Sequence, residues 1–333
     1  MFTWSIKEME LPLKFTWNIS RNSSDTKKNF IVKVKNGSIE AYGEVAFNVR
    51  YGESREMILE KFEEFKNNAP QDFNGVESVV AYLESTDLPQ SLKFGIESSF
   101  VHYVAILSGK TVPQLMGTNT IASVKTSFSI PIMEIGKIES FIKDNNLQRF
   151  SVLKVKVNRE IAQDFCAEVL RLTNVPLRVD ANESFESARE TLQFLEKFPH
   201  INRLEFLEQP LPSSMHDEAL ELKKHSSVML MADESVTKEE VNEYHVERFH
   251  AVNVKMMKAG GYMRAIKQLR QAKVLGLKTM LGCMVETSLG ISSALNIAGG
   301  VDYYDLDGCL LIKDDPYKLV SEENGKIFYS YIQ

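Results

Sequence analysis

Seven times in its second half the chain runs a short apolar, strand-like stretch into a polar or charged residue: 152–156, 176–180, 204–208, 228–233, 251–255, 278–283 and 303–307. The charged ends Lys156, Asp180, Glu208, Asp233 and Lys255 recur at intervals of about 22–28 residues, the room needed for a short strand, a loop and a helix of ~11 residues. Strands separated by helical crossovers pair in parallel, so the residues that end them gather at one end of a single sheet. A further strand at 127–130 brings the number to eight, and right-handed crossovers close eight such units into a (β/α)8 barrel. Connecting helices are expected at 133–145, 160–172, 185–198, 215–225, 238–244, 261–275 and 288–297, with the last helix of the barrel short or absent.

The first 120 residues read differently. Strand-like runs at 4–11, 30–35 and 39–44 come before helical patterns at 54–67, 76–84 and 96–107, which is the order of an α+β unit. Asn36-Gly37 is a two-residue hairpin signal. Residues 14–28 read as a loop carrying Lys14, Arg21, Lys27 and Lys28. The expected organisation is an α+β capping domain at 1–120, a modified TIM barrel at 121–312, and a segment at 313–333 that returns to the cap. A chain of 333 residues accommodates a barrel of ~250 residues and a smaller unit.

Composition narrows the function. With a formal net charge of −6 and no Lys/Arg cluster, nucleic acid and anionic membranes are not expected partners. No apolar run approaches the ~20 residues of a membrane span. Met1–Leu13 lacks the apolar core of a secretory signal. Three widely separated cysteines, Cys166, Cys283 and Cys309, form neither a disulfide framework nor a zinc site and fit a cytoplasmic location.

The strand ends carry the chemistry. Asp180, Glu208 and Asp233 would converge at one barrel mouth, where three carboxylates repel unless a cation sits among them; a hard divalent ion such as Mg²⁺ satisfies that set. The plainer reading is that each caps a helix. Lys154 and Lys156 alternate along one strand and share its inner face, while Lys255 ends a strand across the barrel. Two lysines on opposite sides of one carbon can remove a proton from one face and return it to the other. The plainer reading is snorkelling at the surface.

Lys154-Val155-Lys156, Asp180-Ala181-Asn182, Glu208-Gln209-Pro210, Ala232-Asp233-Glu234-Ser235 and Asn253-Val254-Lys255 resemble, in order and spacing, the barrel motifs of the enolase superfamily in its muconate-lactonising subgroup. Lys258 and Gly260-Gly261 extend the last match, and Gly43-Glu44 and residues 96–117 resemble the family's capping domain. The resemblance implies one Mg²⁺ per subunit on Asp180, Glu208 and Asp233, with Asn182 and Glu234 orienting the ligands from behind. It makes Lys156 and Lys255 the acid/base pair and places Lys154 beside the substrate carboxylate, where it helps hold an enediolate.

Asp305-Leu306-Asp307 resembles the pair with which dipeptide epimerases hold a substrate's α-ammonium, a charge-assisted fit; an Asp-Gly turn is the alternative. The implied reaction is 1,1-proton transfer at the α-carbon of the C-terminal residue of a dipeptide, with L-Ala-D/L-Glu from murein as the leading substrate. A cycloisomerase or o-succinylbenzoate synthase of the same subgroup is the alternative, followed by a metal-dependent binding protein without turnover. Arg21 is the expected partner of a glutamate side chain, because guanidinium pairs with carboxylate bidentately. Ser127, standing where the family often has Thr, and Cys283, in a Gly-Cys-Met-x-Glu stretch, are expected at the substrate, although buried packing accounts for Cys283 equally well. The loop at 45–52 lacks prolines common in relatives. The partner is a small molecule, with assembly into a homo-oligomer possible.

Overall fold

The computed structural model describes residues 1–19 and 22–329. The chain begins with an antiparallel sheet, β1 (Thr3–Ile19), β2 (Asn22–Asn36) and β3 (Ile39–Val45), in that order. The expected Asn36-Gly37 turn joins β2 to β3, with Gly37 at φ 61°. The first two strands are far longer than their core runs. Residues 14–28, expected as a loop, are largely strand, with Leu11 opposite Lys27 and Trp17 opposite Ser24.

The reason is a period-two pattern. Met9, Leu11, Leu13, Phe15, Trp17 and Ile19 alternate with Glu10, Pro12, Lys14, Thr16 and Asn18, which gives one apolar face. That face buries Leu11, Leu13 and Trp17, and Phe15 meets Phe141 edge-on at 4.8 Å.

Four helices follow: α1 (Arg55–Asn68), α2 (Val76–Glu84), α3 (Gln90–Ser108) and α4 (Val112–Met116). Helix α3 begins earlier than its periodicity suggests, because every residue from Ser91 to Tyr103 is buried and a helix buried all round shows no polar stripe. Short β4 (Ser123–Lys125) leads into eight strands: β5 (Phe128–Ile130), β6 (Leu153–Lys156), β7 (Leu177–Asp180), β8 (Leu204–Glu208), β9 (Leu230–Ala232), β10 (Ala251–Lys255), β11 (Lys278–Gly282) and β12 (Tyr303–Asp305). They form one sheet in sequence order, and every pairing within it is parallel. Its two edges meet, because the Ser127 N–H donates to the Tyr304 carbonyl at 3.3 Å. The result is the expected barrel.

The crossovers carry α5 (Ile138–Asp144), α6 (Ala162–Leu172), α7 (Ala188–Glu196), α8 (His216–His225), α9 (Glu243–Arg248), α10 (Met256–Ala259), α11 (Tyr262–Val274) and α12 (Ser288–Leu295). After β12 a single 3₁₀ turn, Gly308–Leu310, takes the place of a helix. Helix α9 lies later than the expected 238–244, and the one-turn α10 is an addition. Phe206, Met231, Ala251 and Met280 fill the barrel interior, on the same strand faces as the charged residues above them. Among the described residues no helix is long and apolar enough to cross a membrane.

The C-terminal strands β13 (Val320–Glu323) and β14 (Lys326–Tyr329) form a hairpin whose second strand pairs with β4. The tail therefore pairs with β4, just ahead of the first barrel strand, and not with the β1–β3 sheet, although Ile312 bridges to Leu13 just before it.

Two carboxylates of the N-terminal unit fasten it to the barrel. Glu44 accepts from the Thr287 and Gly290 N–H groups at the start of α12, and Glu97 from the Met263 N–H at the start of α11. Unpaired N–H groups and the helix dipole favour an anion at both places. Gly261 leaves the space: a Cβ there would lie 1.7 Å from Glu97 Oε2.

Candidate active site

Strand register builds the site. Lys156 stands opposite Asp180, and Asp180 opposite Glu208, so three strand ends share one level with their side chains turned inward. Lys154, Lys156, Asp180, Glu208, Asp233, Lys255, Lys258, Asp305 and Asp307 are all buried. Burying single charges costs several kcal/mol each unless they are paired, and here all but Asp307 have an opposite charge beside them. Lys154 Nζ lies 3.0 Å from Asp180, 2.8 Å from Glu208 and 2.8 Å from Asp305. Lys156 Nζ donates to Asp180 Oδ2 at 2.5 Å and Lys255 Nζ to Asp233 Oδ2 at 2.8 Å.

Lys258, one turn after Lys255, donates to Asp233 Oδ1 at 2.6 Å, and Asn253 donates to Glu208 Oε1 at 2.9 Å. The Asn253 amide fits because position 282 is glycine: a Cβ there would stand 2.4 Å from Asn253 Oδ1. Both Asn253 and Lys258 lay within the sequence motifs, yet their partners could not be read there, since those partners come from other strands.

Each of Asp180, Glu208 and Asp233 offers a carboxylate oxygen within 4.8 Å of the others. Glu208 Oε2 is buried without an aligned hydrogen bond, although Lys154 Nζ is 2.8 Å away. Burial, reinforced by Asp180, pushes the Glu208 carboxyl up to about 7. Burial works in the same sense on Asp180 and Asp233, but Lys154 and Lys156 around the first, and Lys255 and Lys258 around the second, hold both below the ordinary carboxylate range. An oxygen-only donor set with one unsatisfied buried atom fits a small hard divalent cation. Asn182 donates weakly to Glu234 at 3.4 Å, and both line the cavity described next. Asn182, Glu183 and Gln209 adopt positive φ of 43°, 66° and 33°, a clustering of strained non-glycine backbone found at functional sites.

Lys154, Lys156 and Lys255 line one cavity of about 270 Å³ together with Asp233, Asp305 and Asp307. The Asp pair stands opposite the carboxylate trio. Asp305 accepts from Lys154 and, at 2.7 Å, from the Ser127 hydroxyl. Asp307 accepts from the Ser129 N–H at 2.6 Å and also opens the 3₁₀ turn at Gly308, so the turn and the cavity role coexist. Burial and the neighbouring Asp305 push the Asp307 carboxyl up to about 7.

One expectation changes, and one falls outside the described residues. Ser127 is fully buried beneath Asp305 and does not line the cavity; Ser129, within β5, does. Positions 127 and 129 share the inward face, but 129 stands level with Lys154, two residues nearer the end of the strand at which the cavity opens. Arg21 lies outside the described residues; Lys27 and Lys28 on β2 line the cavity. Cys283 lines it, its thiol donating to the Asp305 carbonyl at 3.3 Å.

Sequence reasoning missed Arg178. Its guanidinium crosses the barrel floor to Glu205 at 2.8 Å and the Tyr304 carbonyl at 2.7 Å, between the rings of Phe206 and Tyr303. The available signal was its place two residues before Asp180, on the same inward face.

Residues 138–304 match the model of the family described as Enolase C-terminal domain-like. An L-Ala-D/L-amino acid epimerase from Maribacter sp. is 31% identical over 93% of this chain and 91% of its own length. Among solved structures, a substrate-liganded L-Ala-D/L-Glu epimerase from Bacillus subtilis superposes with a TM-score of 0.90 at 21% identity, covering 99% of this chain and 96% of that one. A dipeptide epimerase from Enterococcus faecalis, complexed with Mg and L-Leu-L-Tyr, gives 0.87 at 20% identity over 98% and 96%. At such identities the structures establish the fold, whereas the family match and the Maribacter relative establish kinship. By both, this chain belongs to the Enolase C-terminal domain-like family.

Proposed function

We propose that the chain is a dipeptide epimerase, an isomerase that inverts the α-carbon of a dipeptide's C-terminal residue by 1,1-proton transfer. The observation that carries this reading is the shared cavity: Lys156 and Lys255 open into the same space, each tied to a different carboxylate of the trio, with Asp305 and Asp307 at its other wall. In this reading Asp180, Glu208 and Asp233 hold one Mg²⁺, which when bound supplies positive charge against the substrate carboxylate. Lys154 adds its ammonium at that carboxylate, where charge accumulates as the α-proton leaves. One of Lys156 and Lys255 takes the proton from one face, and the other returns one to the opposite face. Asp305 and Asp307 bind the free α-ammonium, which fixes the dipeptide's direction and puts its second residue between the lysines. Asn182 and Glu234 steady the ligand loops.

The names of the relatives support the substrate class, and L-Ala-D/L-Glu is the first to test. A murein-derived dipeptide and free cysteines suit a cytoplasmic enzyme. We keep the division into a cap at 1–120, a barrel at 121–312 and a tail at 313–333 as the working domain scheme, with the tail's strands on the barrel side.

The test is proton NMR in D₂O with a dipeptide library and Mg²⁺. Deuterium should enter only at the C-terminal residue's α-carbon, and epimerisation should be lost in Lys156→Ala and Lys255→Ala. Binding without exchange on any dipeptide would leave a non-catalytic protein, and turnover of an amine-free substrate indifferent to Asp305→Asn would point to a cycloisomerase or o-succinylbenzoate synthase.

A further inference from the structure

Three carboxylates grip one ion only if their spacing is set, and strand pairing sets two of them. Asp180 and Glu208 stand opposite each other in the ladder between β7 and β8. Asp233 has no such place. Strand β9 ends at Ala232; its pairing with β8 stops at Met231 and its pairing with β10 at Ala232. The third carboxylate therefore stands just past the last paired residue of its strand.

The side chain of Gln209 takes the ladder's place. Gln209 follows Glu208 directly and is buried. Its Oε1 accepts from the Asp233 N–H and from the Ser235 N–H, each at 3.0 Å. Its Nε2 donates to the Leu211 carbonyl at 2.9 Å and to the Ser235 hydroxyl at 3.0 Å. Two acceptor and two donor positions are thus filled at once. A carboxamide can do this; a carboxylate has no hydrogen to give, and an ammonium has no lone pair. The amide's orientation is fixed, because the two N–H groups can only donate and the Leu211 carbonyl can only accept. The main chain completes the junction. The Gln209 N–H donates to the Met231 carbonyl at 2.9 Å, and the Gln209 carbonyl accepts from the Glu183 N–H at 2.7 Å. One residue so ties together the segments that follow β7, β8 and β9. It does this at φ 33°, a backbone disfavoured in a residue other than glycine and kept only where the surroundings over-determine it.

We propose that Gln209 is the positioning residue of the divalent-cation site: by holding the Asp233 backbone against the strand that carries Glu208, it presets the three carboxylates at the spacing of a Mg²⁺-sized ion. This rests on the reading that Asp180, Glu208 and Asp233 hold a divalent cation, and it adds what makes the site discriminate among such ions, whichever reaction follows. Mg²⁺ demands short, near-ideal coordination, whereas Ca²⁺ accepts longer and less regular bonds. Loosening Asp233 then costs Mg²⁺ more than Ca²⁺.

The experiment is titration calorimetry of Mg²⁺ and of Ca²⁺ into the metal-stripped full chain, for the wild type, Gln209→Met and Ser235→Ala, with metal-free thermal melts to establish that each is folded. Methionine keeps the length of the side chain and removes all four of its hydrogen bonds. Gln209→Met should raise the Kd for Mg²⁺ roughly 10- to 100-fold and the Kd for Ca²⁺ by a smaller factor, so that the ratio of affinities shifts toward Ca²⁺. Ser235→Ala, which removes one of the two acceptors of Nε2, should shift the ratio in the same sense by less. A folded Gln209→Met variant with the wild-type Kd for Mg²⁺ overturns the proposal. So does an equal loss for the two ions, which is what general damage to the fold would give. If Gln209→Met does not fold, Ser235→Ala decides, and an unchanged ratio there overturns the positioning role. A wild type that binds neither ion overturns the cation reading itself, and the proposal with it, before any variant is made.

Discussion

Asp307 offers a clean test of the ammonium site, because it can be neutralised without disturbing the lysines. Asp305 is bonded to Lys154, so changing it also alters the catalytic cluster. Asp307 is bonded to the Ser129 N–H, which an asparagine Oδ1 can still accept. Asp307→Asn therefore removes one negative charge and little else. A hydrogen bond to a charged group contributes about 1.5–3 kcal/mol, so kcat/KM for a dipeptide should fall roughly 10- to 150-fold. The carboxyl sits at about 7, so the wild type carries this charge fully only at higher pH. Its kcat/KM should rise between about pH 6 and 8, whereas the variant's profile loses that limb. The assay is initial-rate α-proton exchange on L-Ala-L-Glu across that range, with an N-acetylated dipeptide, which lacks the ammonium, as the control. A variant with the wild-type pH profile and kcat/KM, or an equal loss on the acetylated compound, would refute the assignment of Asp307 to the amine.

Replacing either Lys156 or Lys255 by alanine should lower epimerisation about 10²–10⁴-fold, measured by optical rotation; an active single variant would sink the two-base scheme. Binding of Mg²⁺ should stabilise the fold by about 2.7 kcal/mol at a hundred times its Kd, seen as a rise in Tm that Glu208→Gln abolishes. Glu97 and Glu286 are held by burial at about 7 and about 8, against an ordinary 4.5. Carboxyls raised in the folded state contribute stability that is complete below the unfolded value and lost as pH rises through the folded one. Urea denaturation should thus show a decline from about pH 5 to 8, and Glu97→Gln should flatten part of it. Gly261→Ala would drive a Cβ into Glu97 and should cost at least about 1–3 kcal/mol in chemical denaturation; a neutral result would argue against the packing of α3 on α11.

The local sequence determined a good deal. Apolar runs broken at regular intervals specify alternating strands and helices, and that alternation permits little besides a parallel closed sheet. Because side chains alternate along a strand, the positions of Lys154, Lys156, Asp180, Glu208 and Lys255 also fixed which of their faces turn inward. The long hairpin was equally legible in the odd-numbered apolar residues from Met9 to Ile19, but its polar stretches read as loop.

Only the tertiary structure decided who meets whom. Lys154 sits among Asp180, Glu208 and Asp305 because the barrel closes, and closure is a property of all eight strands. The Ser127 hydroxyl reaches Asp305 across the closing seam, and Arg178 reaches the Tyr304 carbonyl across the barrel interior. Glu44 and Glu97 find helix starts far away in sequence, and Arg50 finds Glu183. Periodicity along a chain reports the face on which a side chain lies; the identity of its partner depends on how distant segments are brought together, and no local pattern carries that information.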